Sequence, residues 1–218
     1  MSVPDDLCLS QIPAHILQEY QFSQEHFAGR YCPDNDGNCG WRAASYVLLD
    51  KEDRYYSIKE FMRSTLENEQ LFFKQTFGNE DYKRLLTKLK QPEGLVARMF
   101  WFDTIDSASL LAHMCRRPVI VLAGVHSNTF LPFQEGQIMP DGQTLDVEPI
   151  VLHLDGYHFY TFIVKQEAVH KIKWPPLYPT YKHVVAEYNL PTTWLDLYMD
   201  RCHPNVRYVI KDVLSKGC

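Results

Sequence analysis

One stretch decides the fold, and it is Asp36-Gly37-Asn38-Cys39-Gly40-Trp41-Arg42-Ala43. Its first residues favour a tight turn. The residues that follow, as far as Leu49, are apolar on nearly all sides, which predicts a central, buried helix. Asn38 is a favourable N-cap residue for that helix. The sequence therefore predicts a cysteine at the junction between a turn and a buried helix.

That position gives Cys39 a possible chemical role. The start of a helix carries partial positive charge and free N–H groups, which stabilise a thiolate and would lower the pKa of Cys39. The backbone amides of Asp36, Gly37, Asn38 and Cys39 could also bind an oxyanion. Taken alone, the stretch favours a turn and cap of purely structural function, so a nucleophilic Cys39 needs a base elsewhere in the chain.

His158 is the best candidate for that base. It follows the turn Asp155-Gly156-Tyr157 and opens a predicted strand over residues 159–164. A histidine at the start of a strand can reach across a cleft while the strand fixes its orientation. The other histidines that we considered lie in the middle of a strand, in a helix or in a loop, and none combines a turn with a strand start.

Composition excludes several classes of function. The chain has 218 residues with 45% apolar and 22% charged residues, as expected for a globular domain. Its net charge of −5 argues against nucleic acid as a partner. The apolar run at 119–125 is far shorter than the ~18 residues of a membrane span, so we expect no membrane association. No secretory signal is visible at the N-terminus.

The six cysteines support the same view. The sequence contains no C-x-x-C or H-E-x-x-H pattern, so we expect no structural zinc site. The missing signal favours a reducing cytosol, in which structural disulfides are rare. We therefore predict that the five cysteines other than Cys39 are packing residues whose joint replacement leaves activity largely in place. They are Cys8, Cys32, Cys115, Cys202 and Cys218.

The order of predicted elements favours an α+β fold. Helices are predicted over residues 12–20, 57–73 (with Ser57 as cap), 79–90 and 106–116, and strands over 119–122, 149–154 and 159–164. Helices come first and a hairpin comes late, unlike a repeating βαβ series. We divide the chain into an N-terminal segment (1–27), a catalytic domain (28–165) and a C-terminal extension (166–218). The extension should pack on the domain and contain short helices near 194–201 and 206–214.

The motif at 36–43 closely resembles the nucleophile motif D-G-N-C-x-[aromatic]-R-A of the ovarian-tumour (OTU) family of cysteine proteases. The segment 117–122 looks like the middle block of that family, and 149–164, with His158-Phe159, looks like its terminal block. The resemblance covers residues 28–165 and is most specific at the nucleophile.

The resemblance implies a papain-like α+β fold, with a small central sheet sandwiched by helices. It also implies hydrolysis of the peptide or isopeptide bond after the C-terminal glycine of ubiquitin. Cys39 would be the nucleophile, His158 the general base and acid, and Asp36 the acidic residue at the head of the motif. Ubiquitin or polyubiquitin would be the partner of a monomeric enzyme that needs no metal or organic cofactor.

The third catalytic residue stays open. Many family members orient the histidine with an Asp or Asn two residues after it or shortly before it. Tyr160 stands two residues after His158, and Asp155 stands three residues before it. Asp36 is the choice that the family favours, and Asp155 is the local alternative.

Three alternatives to a cytosolic deubiquitinase remain at this point. The fold could bind ubiquitin without cleaving it, or it could cleave another ubiquitin-like modifier or a polyprotein. A secreted effector that acts in the cytosol of a host would carry the same residues.

Overall fold

Five strands form one mixed sheet in the computed structural model, which describes residues 9–90, 95–136, 139 and 145–204. In chain order they are β1 (Phe27–Tyr31), β2 (Val119–Leu122), β3 (Asn128–Phe130), β4 (Ile150–Asp155) and β5 (His158–Val164). Across the sheet the order is β1-β5-β4-β2-β3. Strands β2 and β4 run parallel, and the other neighbouring pairs run antiparallel.

Helices cover both faces of the sheet. In the described ranges they are α1 (Ala14–Glu19), α2 (Cys39–Leu49), α3 (Tyr55–Asn68), α4 (Gln70–Phe77), α5 (Asn79–Leu89), α6 (Asp106–Cys115), α7 (Tyr181–Glu187) and α8 (Thr193–Tyr198). Helices α2 to α6 contribute to the apolar core on one face. Helices α1, α7 and α8 contribute to a second core on the other face.

Strand β2 shows why the sheet needs both layers. Val119 and Val121 belong to the core that contains α2, whereas Ile120 and Leu122 belong to the core that contains α1. Alternate side chains of a strand point to opposite faces, so all four residues are fully buried. The chain is thus an α+β protein with a small central sheet between helical layers, which confirms the expected fold class.

The hairpin between β4 and β5 fixes the position of the candidate histidine. Asp155 lies opposite His158 as the last pair of the two strands. Gly156, in the turn, has φ +60°, a conformation that glycine adopts without strain. The predicted turn and strand are therefore confirmed, and His158 is the first residue of β5.

The predicted helix over 57–73 is wrong, because the structure has two helices there. Glu69 leaves the helical conformation (φ −108°, ψ 34°) between α3 and α4, and its carboxylate lies 3.1 Å from the His113 ring nitrogen Nε2. Ser57 is not a cap, since α3 begins at Tyr55. The predicted helices at 12–20, 79–90 and 106–116 and the three predicted strands are confirmed. Strands β1 and β3 and helix α7 were not predicted.

Described residues of the C-terminal segment extend the sheet beyond β3. The Thr129 N–H donates to the Pro176 carbonyl at 2.8 Å, and the Tyr178 N–H donates to the Thr129 carbonyl at 2.9 Å. Trp174 and Trp194 are buried in the second core. Helix α8 corresponds to the helix predicted at 194–201, whereas the one at 206–214 lies outside the described residues. The domain boundaries at 27 and 165 stay predictions.

Candidate active site

Cys39 is the first residue of α2, and its side chain is 3% exposed. The Phe159 backbone N–H donates a hydrogen bond to Cys39 Sγ at 3.4 Å. Because α2 packs against β5, the fold places the thiol beside the strand start that His158 occupies. The structure thus brings together the two residues that sequence patterns singled out independently.

Close packing holds the start of α2 in place. A Cβ atom at Gly40 would lie 2.5 Å from Phe102 Cβ and 3.0 Å from the Phe159 ring, so a larger residue has no room there. Trp41 donates from Nε1 to the Phe100 carbonyl at 3.3 Å. The segment around residues 100–102 therefore packs directly against the first turn of α2, which carries the thiol.

The thiol of Cys39 does not have the lowered pKa that its position predicted. Burial raises the pKa of Cys39, and the nearby negative charge of Asp36 raises it further. Hydrogen bonds from the Phe159 N–H and from the first amides of α2 offset only part of the rise. The prediction is wrong because a thiolate in an apolar surrounding loses more hydration than the helix start returns.

His158 is half-buried, and its ring is contacted by Cys32 and Tyr160. Its Nε2 atom lies 3.5 Å from Cys32 Sγ, and the Tyr160 ring packs edge-on at 4.7 Å between ring centroids. Its Nδ1 atom is buried and has no hydrogen-bond partner among the described residues. Burial and the nearby Arg30 charge lower the pKa of the imidazole. Cys39 and His158 are therefore both neutral near pH 7.

Asp36 does not act on the histidine ring in this structure. Its Oδ2 atom accepts hydrogen bonds from Arg42, at 2.7 Å from Nη2 and 3.1 Å from Nε, and its Oδ1 atom accepts from the Asn38 N–H at 2.8 Å. Although burial opposes the shift, these bonds lower the pKa of Asp36. These contacts hold the carboxylate against the turn before Cys39, and no hydrogen bond joins it to His158 among the described residues. The assignment of Asp36 as the third catalytic residue stays a prediction.

Asp155, the local alternative, lies opposite His158 in the hairpin and is exposed. No hydrogen bond joins the two side chains within the described part of the chain. The negative charge of Asp155 acts on the imidazole through space and raises its pKa slightly against the larger effect of burial. Neither candidate carboxylate therefore holds the ring.

Cys32 is not the packing residue that the sequence predicted. It is exposed rather than packed in a core, and its Sγ atom is the contact to His158 Nε2. Cys32 follows directly after β1, which pairs with β5. A prediction of β1 would have placed Cys32 near the start of the histidine strand, but the residues of β1 have no clear strand signature.

Asn38 and Lys59 form a buried polar pair behind the turn. Lys59 is 2% exposed, and its Nζ atom donates to Asn38 Oδ1 at 2.9 Å. The ammonium also lies over the rings of Trp41 and Tyr55, at 5.2 and 5.5 Å from their centroids. Burial lowers the pKa of Lys59 to about 8. The sequence marked Lys59 only as a residue of an amphipathic helix.

These contacts reduce the number of backbone amides that could bind an oxyanion. Asn38 occupies the N-cap position but makes no side-chain cap bond, and its N–H is engaged by Asp36. The Asn38 N–H is therefore not available to an oxyanion, whereas the amides of Asp36, Gly37 and Cys39 stay candidates. Gly37 has φ +84°, and a Cβ there would lie 2.6 Å from Trp101 Nε1, so only glycine fits this turn.

A cleft of about 300 Å³ includes Phe159 in its lining, but neither Cys39 nor His158. Its lining includes Arg98, Trp101, Phe102, Leu154, Tyr157 and Phe159. The rings of Trp101 and Tyr157 lie 6.4 Å apart, and the Arg98 guanidinium sits 4.7 Å from the centre of the Tyr157 ring. Phe159 lines the cleft and also contacts Cys39 Sγ through its backbone amide.

Neither a metal cluster nor a membrane span is found among the described residues. No group of three histidine, cysteine or acidic side chains there could hold a metal ion. No helix in the same ranges combines the length and the apolar character needed to cross a bilayer.

Solved structures offer two likenesses. The chain is similar to the viral OTU domain protease from Qalyub virus, with 18% identity and a TM-score of 0.46 over 66% of this chain and 89% of that chain. It is also similar to the viral OTU domain protease from Dera Ghazi Khan virus, with 13% identity and a TM-score of 0.42 over 64% of this chain and 88% of that chain. No protein-family model and no curated protein sequence matches the chain. With similarity this low, function has to be argued from the site residues themselves.

Proposed function

We propose that this protein is an OTU-type cysteine protease that cleaves the peptide or isopeptide bond after the C-terminal glycine of ubiquitin. One observation carries the proposal. Cys39, the cysteine of the OTU-like motif, accepts a hydrogen bond from the Phe159 amide at 3.4 Å, and Phe159 directly follows His158. A nucleophile at a helix start beside a histidine is the arrangement that thiol proteases use.

The reaction begins from a neutral pair. His158 takes the thiol proton as Cys39 Sγ attacks the carbonyl carbon of the substrate, so charge develops only as the bond forms. Backbone N–H groups of the turn at 36–39, with Asn38 excluded, would stabilise the tetrahedral oxyanion. His158 then protonates the leaving amine. Water, deprotonated by the same imidazole, hydrolyses the thioester and releases the ubiquitin carboxylate.

Aromatic residues line the cleft next to Phe159. The Trp101 and Tyr157 rings contact each other edge to face, at 6.4 Å between their centroids, so the substrate would pack against this pair rather than pass between the rings. Tyr157 is 66% exposed, so it is also available to pack against the body of the substrate.

A reactive probe tests the proposal. Ubiquitin with a thiol-reactive group in place of its C-terminal carboxylate should form a covalent adduct with the wild-type chain, as seen by intact-mass spectrometry. Cys39→Ala should abolish the adduct. Cys115→Ala is the matched control, because it removes a thiol from α6, and it should label like the wild type.

Three outcomes would contradict the proposal. An adduct that survives Cys39→Ala would exclude Cys39 as the nucleophile. Tight binding of ubiquitin without any adduct would favour a non-catalytic binding module. Adducts formed only with probes built on other ubiquitin-like modifiers, or cleavage only of a polyprotein junction, would move the substrate away from ubiquitin.

We also propose that the enzyme works as a monomer in a reducing cytosol, either that of its own cell or that of a host. The four cysteines in the described ranges are all free, and a nucleophilic thiol must stay reduced to act. Sedimentation of the purified protein should give one species near 25.5 kDa. A dimer at micromolar concentration would contradict the monomer.

A further inference from the structure

We propose that Cys32 is the positioning residue of the catalytic histidine, in the place that an Asp or Asn takes in many OTU proteases. The inference rests on the proposed thiol-protease function and assigns its open third position. The thiol of Cys32 acts through His158 and does not touch the substrate.

The geometry of the sheet delivers Cys32 to the ring. Strand β1 pairs with β5 through Tyr31, which lies opposite Thr161. The next residue, Cys32, therefore leaves the sheet beside the start of β5, where its Sγ atom lies 3.5 Å from His158 Nε2. This is within hydrogen-bond range for sulfur, which is larger than oxygen and forms longer bonds.

The surroundings of Cys32 determine which ring nitrogen carries the proton. The Pro33 carbonyl lies 3.8 Å from Cys32 Sγ as an acceptor for the S–H group, which leaves the sulfur lone pairs of Cys32 to face His158 Nε2. A ring nitrogen that faces a lone pair is best satisfied as a donor. Nε2 is then protonated, and the buried Nδ1, which has no partner among the described residues, keeps the lone pair that a base needs.

No other described side chain takes this role. The Asp36 carboxylate is engaged by Arg42, and Asp155 makes no hydrogen bond to the ring. Tyr160 packs its ring against the imidazole and lies under the Arg30 guanidinium, 4.2 Å from the ring centroid. A neutral thiol fixes the orientation and tautomer of the ring but, unlike a carboxylate, adds no charge that would favour imidazolium.

Three substitutions of Cys32 test the proposal on ubiquitin that carries a fluorogenic C-terminal amide. Cys32→Ala should lower kcat about 10-fold with KM unchanged, which is a fraction of the 10²–10⁴-fold that general acid–base catalysis supplies in total. Cys32→Ser should restore most of the lost turnover, because a hydroxyl can accept the same bond. Cys115→Ala should keep wild-type kinetics.

Cys32→Asp tests the pH dependence of kcat/KM, which should not change if Cys32 has only a structural role. The titratable groups that act on or contact His158 are Arg30 from β1, Asp155 from β4, Tyr160 from β5 and Cys32 itself. A carboxylate at 32 would stabilise the imidazolium, so the acidic limb of the kcat/KM profile should move to higher pH by about one unit. Wild-type turnover and an unshifted limb in both Cys32→Ala and Cys32→Asp would overturn the proposal.

A second measurement does not depend on turnover. In the wild type, the ¹⁵N chemical shifts of His158 should show a protonated Nε2 and an unprotonated Nδ1, and Cys32→Ala should mix the tautomers. An unchanged tautomer in Cys32→Ala would count against the proposal even in an inactive protein. Failure of the ubiquitin probe to label the wild-type chain would instead refute the proposed function, so the two failures are distinguishable.

Discussion

The two halves of the candidate site are built differently. On the nucleophile side, Cys39 follows a turn that is held by Asp36, Arg42 and the buried Asn38–Lys59 pair. On the histidine side, His158 is held by an exposed thiol contact from Cys32 and by the ring of Tyr160. The nucleophile is fixed by charges and close packing, whereas the base is fixed by weak neutral contacts. Loss of the Asp36 contacts should therefore lower activity and stability more than loss of any one contact on the histidine side.

The largest effect is expected at Asp36. Asp36→Ala leaves the Arg42 guanidinium, which is 14% exposed, without its carboxylate and frees the Asn38 amide. We expect a loss of about 3 kcal/mol in the free energy of unfolding, near the lower end for a broken buried ion pair, and kcat/KM should fall about 100-fold. Urea unfolding and steady-state kinetics measure the two effects.

The matched control for Asp36 is the exposed Asp34, whose replacement by alanine should change neither quantity much. The pKa of Asp36 is lowered in the folded state, so its contribution is present above the ordinary value of 3.8 and is lost as the pH falls through the folded value. Equal stability of Asp36→Ala and the wild type at pH 7 would contradict the idea that the Asp36–Arg42 ion pair stabilises the turn before Cys39.

A smaller effect, mainly on activity, is expected when Lys59 is replaced. Lys59→Met removes the donor to Asn38 Oδ1, so the turn loosens and kcat should fall about 10-fold. Stability should change by less than about 1 kcal/mol, because methionine fills the same apolar space without a buried charge. Lys83→Met, at an exposed site on α5, is the control and should leave both unchanged.

The pH dependence of stability isolates Lys59. Its pKa is lowered from 10.5 to about 8 in the folded state, so between these values the unfolded chain binds more protons. The free energy of unfolding should therefore rise with pH in that window for the wild type relative to Lys59→Met. If the free energy of unfolding has the same pH dependence in both proteins between pH 8 and 10.5, then burial does not lower the pKa of Lys59.

The smallest effect is expected at Asp155. Asp155→Asn removes a charge that acts on His158 only through space, so kcat should change less than about threefold, with a slight shift of the acidic limb to lower pH. A tenfold or larger loss of turnover would instead make Asp155 the orienting residue. It would then remove the contrast between the two halves of the site.

The same contrast explains what could be predicted. The nucleophile side was visible in the sequence because its parts are contiguous: the turn, the cysteine and Arg42 lie within eight residues, and the apolar helix continues directly from them. Lys59 escaped notice, since a lysine in an amphipathic helix is ordinarily a solvated residue. Cys32 was misjudged as a packing residue because its neighbour in space depends on the pairing of β1 with β5, which local patterns did not reveal.

The sequence by itself determined the late hairpin, the α+β order of elements, and the positions of Cys39 and His158, since turn chemistry and hydrophobic periodicity act over a few residues. Only the tertiary structure decided the break at Glu69, the partners of Asp36 and the contact of Cys32 with His158. It also reversed the expected direction of the Cys39 pKa shift. These features depend on burial and on contacts between distant segments, because desolvation is set by everything that surrounds a group rather than by its neighbours along the chain.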